Sequence, residues 1–96
     1  MFVVLLRFSD NKVQAGKYID GHKSWIKRGF DDGIFLFSGS IQPSSGGVVL
    51  AHNTSLSDLQ SRVHDDPFVS ENIVSAEILE IMPGQTDERF AFLLNV

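Results

Sequence analysis

The sequence predicts a single α+β domain spanning residues 1–96, and the order of its apolar patterns leads to that class. Four apolar runs rich in β-branched residues have the length of strands, and two segments between them space their apolar residues as helices do. A chain of 96 residues fits one compact domain and excludes two full ones. Apolar residues make up 43% of the chain, so we expect it to fold around a core.

The first strand and the first helix are predicted in the N-terminal third. Phe2–Phe8 is almost continuously apolar, which is typical of a strand covered on both faces. The polar side chains of Ser9–Asn11 can cap a helix, and Gly29 and Gly33 are expected to end it. The side of this helix that should face the core consists of Ala15, Tyr18, Ile19, His22, Trp25, Ile26 and Phe30.

A β-hairpin and a second helix are predicted next. Ile34–Ile41 and Val48–Ala51 have the composition of strands, and Gln42–Gly47 combines a proline with two glycines, as turns do. Ser55 and Asp58 then have the spacing of a helix-capping box. The buried side of this second helix is predicted to contain Leu56, Leu59 and Val63.

The remaining segment predicts the end of the second helix and a last strand. Asp66–Pro67 should interrupt the helix, because the residue before proline avoids the α conformation. Ile73–Met82 is predicted as the last strand. The apolar segment Arg89–Leu94 is expected either to add an edge strand or to dock on a partner.

The order βαββαβ predicts a ferredoxin-like arrangement, an antiparallel four-stranded sheet with both helices on one face. Three of the four strands carry apolar residues on both faces, so the second face also needs a cover. A second copy of the sheet would provide it, which predicts a dimeric α+β barrel formed by a homodimer or a higher homo-oligomer. The domain core is expected over residues 1–83, with residues 84–96 as a C-terminal extension.

Composition excludes several classes of function. Eight Lys and Arg against twelve Asp and Glu give a net charge of −4, which argues against a nucleic-acid partner. The N-terminal apolar run meets Arg7 at once and is too short for a signal peptide or a membrane span, so we expect a cytoplasmic protein with no membrane partner. There is no cysteine, the three histidines match no compact metal pattern, and no phosphate-binding glycine loop occurs. We therefore expect neither a metal nor a cofactor.

His22 and Asp66 are the candidate chemical residues, and each also has a structural explanation. His22 replaces an aliphatic residue in the middle of the first helix, where a core histidine bonded to a backbone carbonyl would also fit. Asp66 precedes Pro67 and is well placed to cap a short helix. Because both helices share one face of the sheet, the middle of the first can approach the end of the second. The two residues could then form a pair.

Three short motifs occurring in order resemble the YCII-related (YciI-like) family. They are His22 to Gly29 in the first helix, Ser38-Gly39 at the end of the second strand, and Asp66-Pro67-Phe68 after the second helix. The resemblance covers about residues 1–83. It implies a dimeric α+β barrel fold, a His22–Asp66 catalytic pair, and a small-molecule pocket lined by Ser38 and Gly39. Two features depart from the family: Ser40 stands where a proline is frequent, and Gln85–Val96 extends beyond the usual end.

Three hypotheses for function follow. The first is a lyase or isomerase that transfers protons on a small, aromatic or enol-forming substrate, with Asp66 orienting His22. The second is a non-catalytic module that binds a small molecule, and the third is a dimerisation module in which the pair only braces the fold. If His22 is a plain core residue, its replacement by leucine should be tolerated, provided that Asp66 remains solvated or keeps its capping bonds.

Overall fold

The computed structural model of the chain describes residues 1–95; Val96, the last residue of the predicted extension, lies outside them. Its regular elements are β1 (Phe2–Phe8), α1 (Ala15–Asp31), β2 (Phe35–Ile41), β3 (Gly46–Ala51), α2 (Leu56–His64), α3 (Pro67–Ser70) and β4 (Val74–Glu80). Two 3₁₀ helices, Asp10–Gln14 and Glu88–Asn95, precede α1 and follow β4. None of the helices in the described part of the chain is long and apolar enough to cross a membrane.

The four strands form one antiparallel sheet in the order β2-β3-β1-β4. The strand β1 lies in the interior, with Val4 opposite Val49 of β3 on one side and opposite Ile78 of β4 on the other. The outer strands are β2 and β4, so each of these leaves one edge unpaired within the sheet. This topology confirms the predicted ferredoxin-like α+β fold.

The core lies between the sheet and the helices. Alternate residues of β1, Phe2, Val4 and Leu6, are buried there, as the two-residue period of a strand requires. Trp25 of α1 is almost completely buried and its indole Nε1–H donates to the carbonyl of Arg62 at 2.8 Å. That bond satisfies the one polar atom of the indole and ties α1 to α2.

Two expectations for α1 were wrong. Gly29 does not end the helix but is buried within it. Glycine is needed at this position because a Cβ there would lie 2.1 Å from the ring of Phe35. At Gly29, α1 therefore lies closer to the start of β2 than a residue with a Cβ would permit. Phe30, expected in the core, is 41% exposed. The helix ends at Asp31, and Gly33 then adopts a φ of +75° in the turn to β2.

Both predicted serine caps are present, but the first caps a different helix from the one expected. Ser9 accepts a hydrogen bond from the Asn11 amide, but it caps the 3₁₀ helix that precedes α1 rather than α1 itself. Ser55 accepts from the Asp58 amide at 3.1 Å and begins α2 as predicted. Leu56, predicted to be buried, is 39% exposed because it lies at the very start of the helix.

The C-terminal segment forms a 3₁₀ helix, so the prediction of an added edge strand in Arg89–Leu94 was wrong. Leu93 in this helix is 4% exposed and lines a cleft with Leu50 and Phe37, which lie on the sheet face opposite the helices. The extension therefore covers part of that second face in the same chain. Elsewhere on this face, large apolar side chains such as Leu79 remain about 40% exposed.

Candidate functional site

His22 lies in the middle of α1, on the side that faces the sheet, and its side chain is 15% exposed. The imidazole stacks on the ring of Phe68, with the ring centroids 4.0 Å apart and the planes 7° from parallel. The ring of Trp25 lies farther away, at 6.0 Å. Aromatic groups thus fix the plane of the imidazole, and packing restricts its rotation.

Asp66 is the N-cap of the short helix α3. Its backbone is extended, its Oδ1 accepts from the Phe68 amide at 3.0 Å, and Pro67 occupies the first helical position. This arrangement confirms the capping role predicted from the Asp-Pro pair. The Asp66 side chain is completely buried, unlike an ordinary cap at the protein surface.

The structure brings His22 and Asp66 into direct contact. The imidazole Nδ1 lies 2.8 Å from Asp66 Oδ1, the same oxygen that accepts from the Phe68 amide. When Asp66 is ionised, Nδ1 carries the proton of this contact, because a carboxylate only accepts hydrogen bonds. Asp66 Oδ2 is buried without a hydrogen-bond partner among residues 1–95. His22 Nε2 has no partner within the same residues and is not fully buried.

A cavity of about 260 Å³ lies beside His22, between α1 and the β2–β3 edge of the sheet. Ser38 and Gly39, the residues predicted to bind substrate, line it together with His22. Sequence analysis assigned no role to two further lining residues, Ser40 and Phe68. Ser40 could have been predicted as a lining residue, because it lies two residues after Ser38 in the second strand and so shares its face. The position of the Phe68 ring over His22 had no such signal.

A larger cavity, of about 490 Å³, lies between the end of α1 and the start of α2. Its walls carry charges of both signs, and Arg62 forms an ion pair with Asp32 at 2.9 Å. We assign the candidate site to the smaller cavity, because it is lined by His22, the imidazole that contacts the buried Asp66. Within the described residues no group of three or more His, Cys, Asp or Glu side chains is placed to hold a metal.

The fold places the chain in the class of small ferredoxin-like α+β proteins. A solved structure of this class is similar to the chain: 5-chloro-2-hydroxyhydroquinone dehydrochlorinase from Burkholderia phenoliruptrix AC1100, in complex with 2,5-dihydroxybenzoquinone. The TM-score is 0.69 and the identity 12%, over 88% of this chain and 96% of that one. No protein-family model matches the sequence, and a search of curated proteins found no match.

Proposed function

We propose that this protein is a small proton-transfer enzyme, a lyase or an isomerase, with His22 as the acid–base group and Asp66 as the residue that orients it. The observation that carries the proposal is the 2.8 Å contact between His22 Nδ1 and the fully buried Asp66, at the wall of a cavity. A buried carboxylate on one nitrogen of an imidazole that lines a cavity, with the other nitrogen unpartnered among residues 1–95, is an arrangement suited to general acid–base catalysis.

The proposed mechanism uses the two imidazole nitrogens differently. Asp66 holds the proton on Nδ1, so Nε2 presents its lone pair to a substrate in the cavity. Nε2 accepts a proton from a carbon or a hydroxyl group of the substrate, and Asp66 stabilises the imidazolium that forms. The same nitrogen returns the proton at another atom in an isomerisation. In an elimination, the leaving group departs as the new double bond forms.

The structural neighbour supports a function in small-molecule chemistry. It is a dehydrochlorinase of a hydroquinone, and the loss of hydrogen chloride that this name denotes needs a proton acceptor. Because its identity with this chain is 12%, the neighbour supports the reaction class only through the shared fold. The histidine in the cavity supplies the acceptor that such a reaction needs.

The finer family assignment is part of the proposal. We propose a YciI-like domain over about residues 1–83, on the strength of His22 to Gly29, Ser38-Gly39 and Asp66-Pro67-Phe68 occurring in order. A cytoplasmic location goes with this assignment. A homodimer is supported by the second sheet face, where Phe37 is 49% and Leu79 40% exposed.

Binding without turnover in the same cavity is the second candidate function. The exposed serines at positions 38 and 40 favour it, because their hydroxyl groups could hold a polar ligand without any proton transfer. The place of His22 in the cavity wall, with Nε2 unpartnered among residues 1–95, favours catalysis over a purely bracing role.

The experiment measures proton transfer with two probes taken from the neighbour's chemistry. Chloride release from 5-chloro-2-hydroxyhydroquinone reports elimination, and deuterium exchange at the ring carbons of 2,5-dihydroxybenzoquinone reports reversible proton transfer. We expect His22→Asn to reduce either rate by about 100-fold or more, since an acid–base group contributes about 10²–10⁴-fold. His64→Asn, at an exposed histidine on α2, is the matched control and should retain the rate. A native rate no higher than that of His22→Asn would refute the proposed function.

A further inference from the structure

We propose that Gly21 is a positioning residue of the candidate site, because it lets α1 approach the start of α3 closely enough for His22 to reach Asp66. Its effect on catalysis rests on the proposed function, whereas its effect on the contact between the two side chains does not. Gly21 lies directly before His22 in α1, and Pro67 directly follows Asp66 at the start of α3. The packing of Gly21 on Pro67 therefore adjoins the His22–Asp66 bond on both elements.

The contact between Gly21 and Pro67 leaves too little room for a side chain at position 21. A Cβ there would lie 3.0 Å from Pro67 Cγ and 3.7 Å from Pro67 Cβ. The first distance is shorter than the ordinary contact between two carbon atoms, about 3.5–4.0 Å. Alanine or any larger residue would thus separate α1 and α3 by a few tenths of an ångström or more.

The backbone conformation does not explain a glycine at position 21. Glycine in the interior of a helix is destabilising relative to alanine, and Gly21 lies well inside α1. The described glycines with a positive φ are Gly33 and Gly46, so position 21 has a backbone that other residues also adopt. Gly16, in the same helix, has nothing within 4 Å of the place where a Cβ would lie. The close approach of Pro67 is therefore what distinguishes Gly21.

A displacement of α1 at Gly21 would act on the His22–Asp66 contact, because different elements hold the two partners. The Oδ1 atom of Asp66 accepts from the Phe68 amide within its own turn. Phe68 is buried, and its carbonyl accepts from the Ile73 amide at 2.9 Å, which anchors the turn to the segment before β4. His22 moves with α1 instead. Separation of the two elements therefore lengthens the 2.8 Å bond between Nδ1 and Oδ1.

The test compares Gly21→Ala with Gly16→Ala, the same substitution in the same helix at a position with free space. Proton–nitrogen correlation spectra of the imidazole at alkaline pH, where carboxylates are ionised, report which nitrogen of neutral His22 carries the proton. We expect the native protein and Gly16→Ala to hold this proton on Nδ1, facing Asp66. Gly21→Ala should shift the population toward the form with the proton on Nε2, because the acceptor has moved away.

Removal of the opposing ring should restore the pair. Pro67→Ala takes away Cγ, and the remaining distance of 3.7 Å to Cβ is an ordinary contact. The double variant Gly21→Ala/Pro67→Ala should therefore show the same proton position as Pro67→Ala alone. A glycine that affected only the intrinsic stability of α1 would not be rescued by a change in α3.

Under the proposed function, the same variants should change kcat and leave KM unaltered. Neither Gly21 nor Pro67 lines the cavity in the described chain, so the surface that contacts the substrate stays the same. A misplacement of ~1 Å can lower a rate about 100-fold. A few tenths of an ångström should thus lower kcat for deuterium exchange of 2,5-dihydroxybenzoquinone by about 3- to 10-fold. Gly16→Ala should keep the native kcat.

Each outcome supports or overturns the role of Gly21. A native proton position in Gly21→Ala would overturn it, as would an equal shift in Gly16→Ala or a double variant without rescue. A native protein with the proton on Nε2 would also overturn it. If Gly21→Ala does not fold, the double variant decides, and its failure to fold where Pro67→Ala folds would count against the contact. The expected tautomer shifts in a protein without exchange activity would support this role of Gly21 while refuting the proposed function.

Discussion

Replacement of His22 by leucine should destabilise the protein, although leucine fits an apolar helix face. The substitution removes the donor at 2.8 Å from Asp66 Oδ1 and leaves that carboxylate with the Phe68 amide alone. Oδ2 is already buried without a partner in the described chain, and the side chain has no exposed surface. The variant would therefore hold a buried carboxylate with a single hydrogen bond.

The expected size of the effect follows from two opposing contributions. Removing one partner of a buried pair costs about 3–5 kcal/mol. Burying leucine instead of imidazole at a position that is 15% exposed returns about 1 kcal/mol. The net loss in free energy of unfolding should thus be about 2–4 kcal/mol, a large part of the ~5–15 kcal/mol typical of a domain. His22→Asn keeps an N–H at the position of Nδ1, so we expect a smaller loss of about 1–2 kcal/mol.

Urea denaturation followed by the fluorescence of Trp25, the one tryptophan in the sequence, would measure these values. The double variant His22→Leu/Asp66→Asn tests the cause, because asparagine carries no charge and should recover about 1–2 kcal/mol of the loss. A His22→Leu variant as stable as the native protein would refute the reasoning. A loss that Asp66→Asn fails to reduce would show that ring packing, and not the carboxylate, is responsible.

Three further predictions concern packing, charge and assembly. Gly29→Ala should lower the free energy of unfolding by about 2 kcal/mol, because the new methyl group would lie 2.1 Å from the buried ring of Phe35. Gly16→Ala, where nothing lies within 4 Å of the added methyl group, should raise it by about 1 kcal/mol. Urea denaturation measures both changes, and the same sign for the two variants would contradict this prediction. Hydrogen bonds from the Arg89 side chain and backbone lower the pKa of Asp87, so any stability they contribute is present above the unfolded-state pKa and is lost as the pH falls through the folded one. Arg89→Ala should raise the pKa of Asp87 in an NMR titration, and an unchanged titration would count against the contact. Deleting Gln85–Val96 uncovers part of the second sheet face and should increase the mass seen by light scattering or reduce solubility; unchanged mass and stability would leave the extension without that role.

Local chemistry made much of the fold predictable. Apolar runs marked the strands, and the caps at Ser55 and Asp66 marked the starts of α2 and α3, because these signals depend on residues close together in the chain. Gly29 was misread for the opposite reason. A glycine near the end of a helical pattern predicts a helix end, and only the ring of Phe35, brought in by the next strand, explains its place inside α1.

The sequence predicted which two residues meet in the candidate site, but not how deeply Asp66 is buried there. The topology led us to expect the middle of α1 near the end of α2, and His22 and Asp66 do lie in contact there; their catalytic role stays a prediction. Leucine at position 22 was expected to be tolerated if Asp66 stayed solvated or kept its capping bonds. The bond from the Phe68 amide is kept, but the carboxylate is completely buried, and this burial is why we now expect a loss of stability. That burial depends on packing between distant segments, which no local pattern encodes. The role of Phe68 in stacking on the imidazole was missed for the same reason.

The shared oxygen of Asp66 has a consequence for comparing sequences. Oδ1 accepts from both the Phe68 amide and His22, so the aspartate serves the start of α3 whether or not any chemistry takes place. Selection for a stable turn alone would preserve an Asp-Pro pair at this position in a descendant that had lost its activity. The His22 side chain forms no such capping bond with a backbone amide in residues 1–95. Under the proposed function, the loss of His22 with retention of Asp66 among diverging relatives would therefore mark lineages that keep the fold without the reaction.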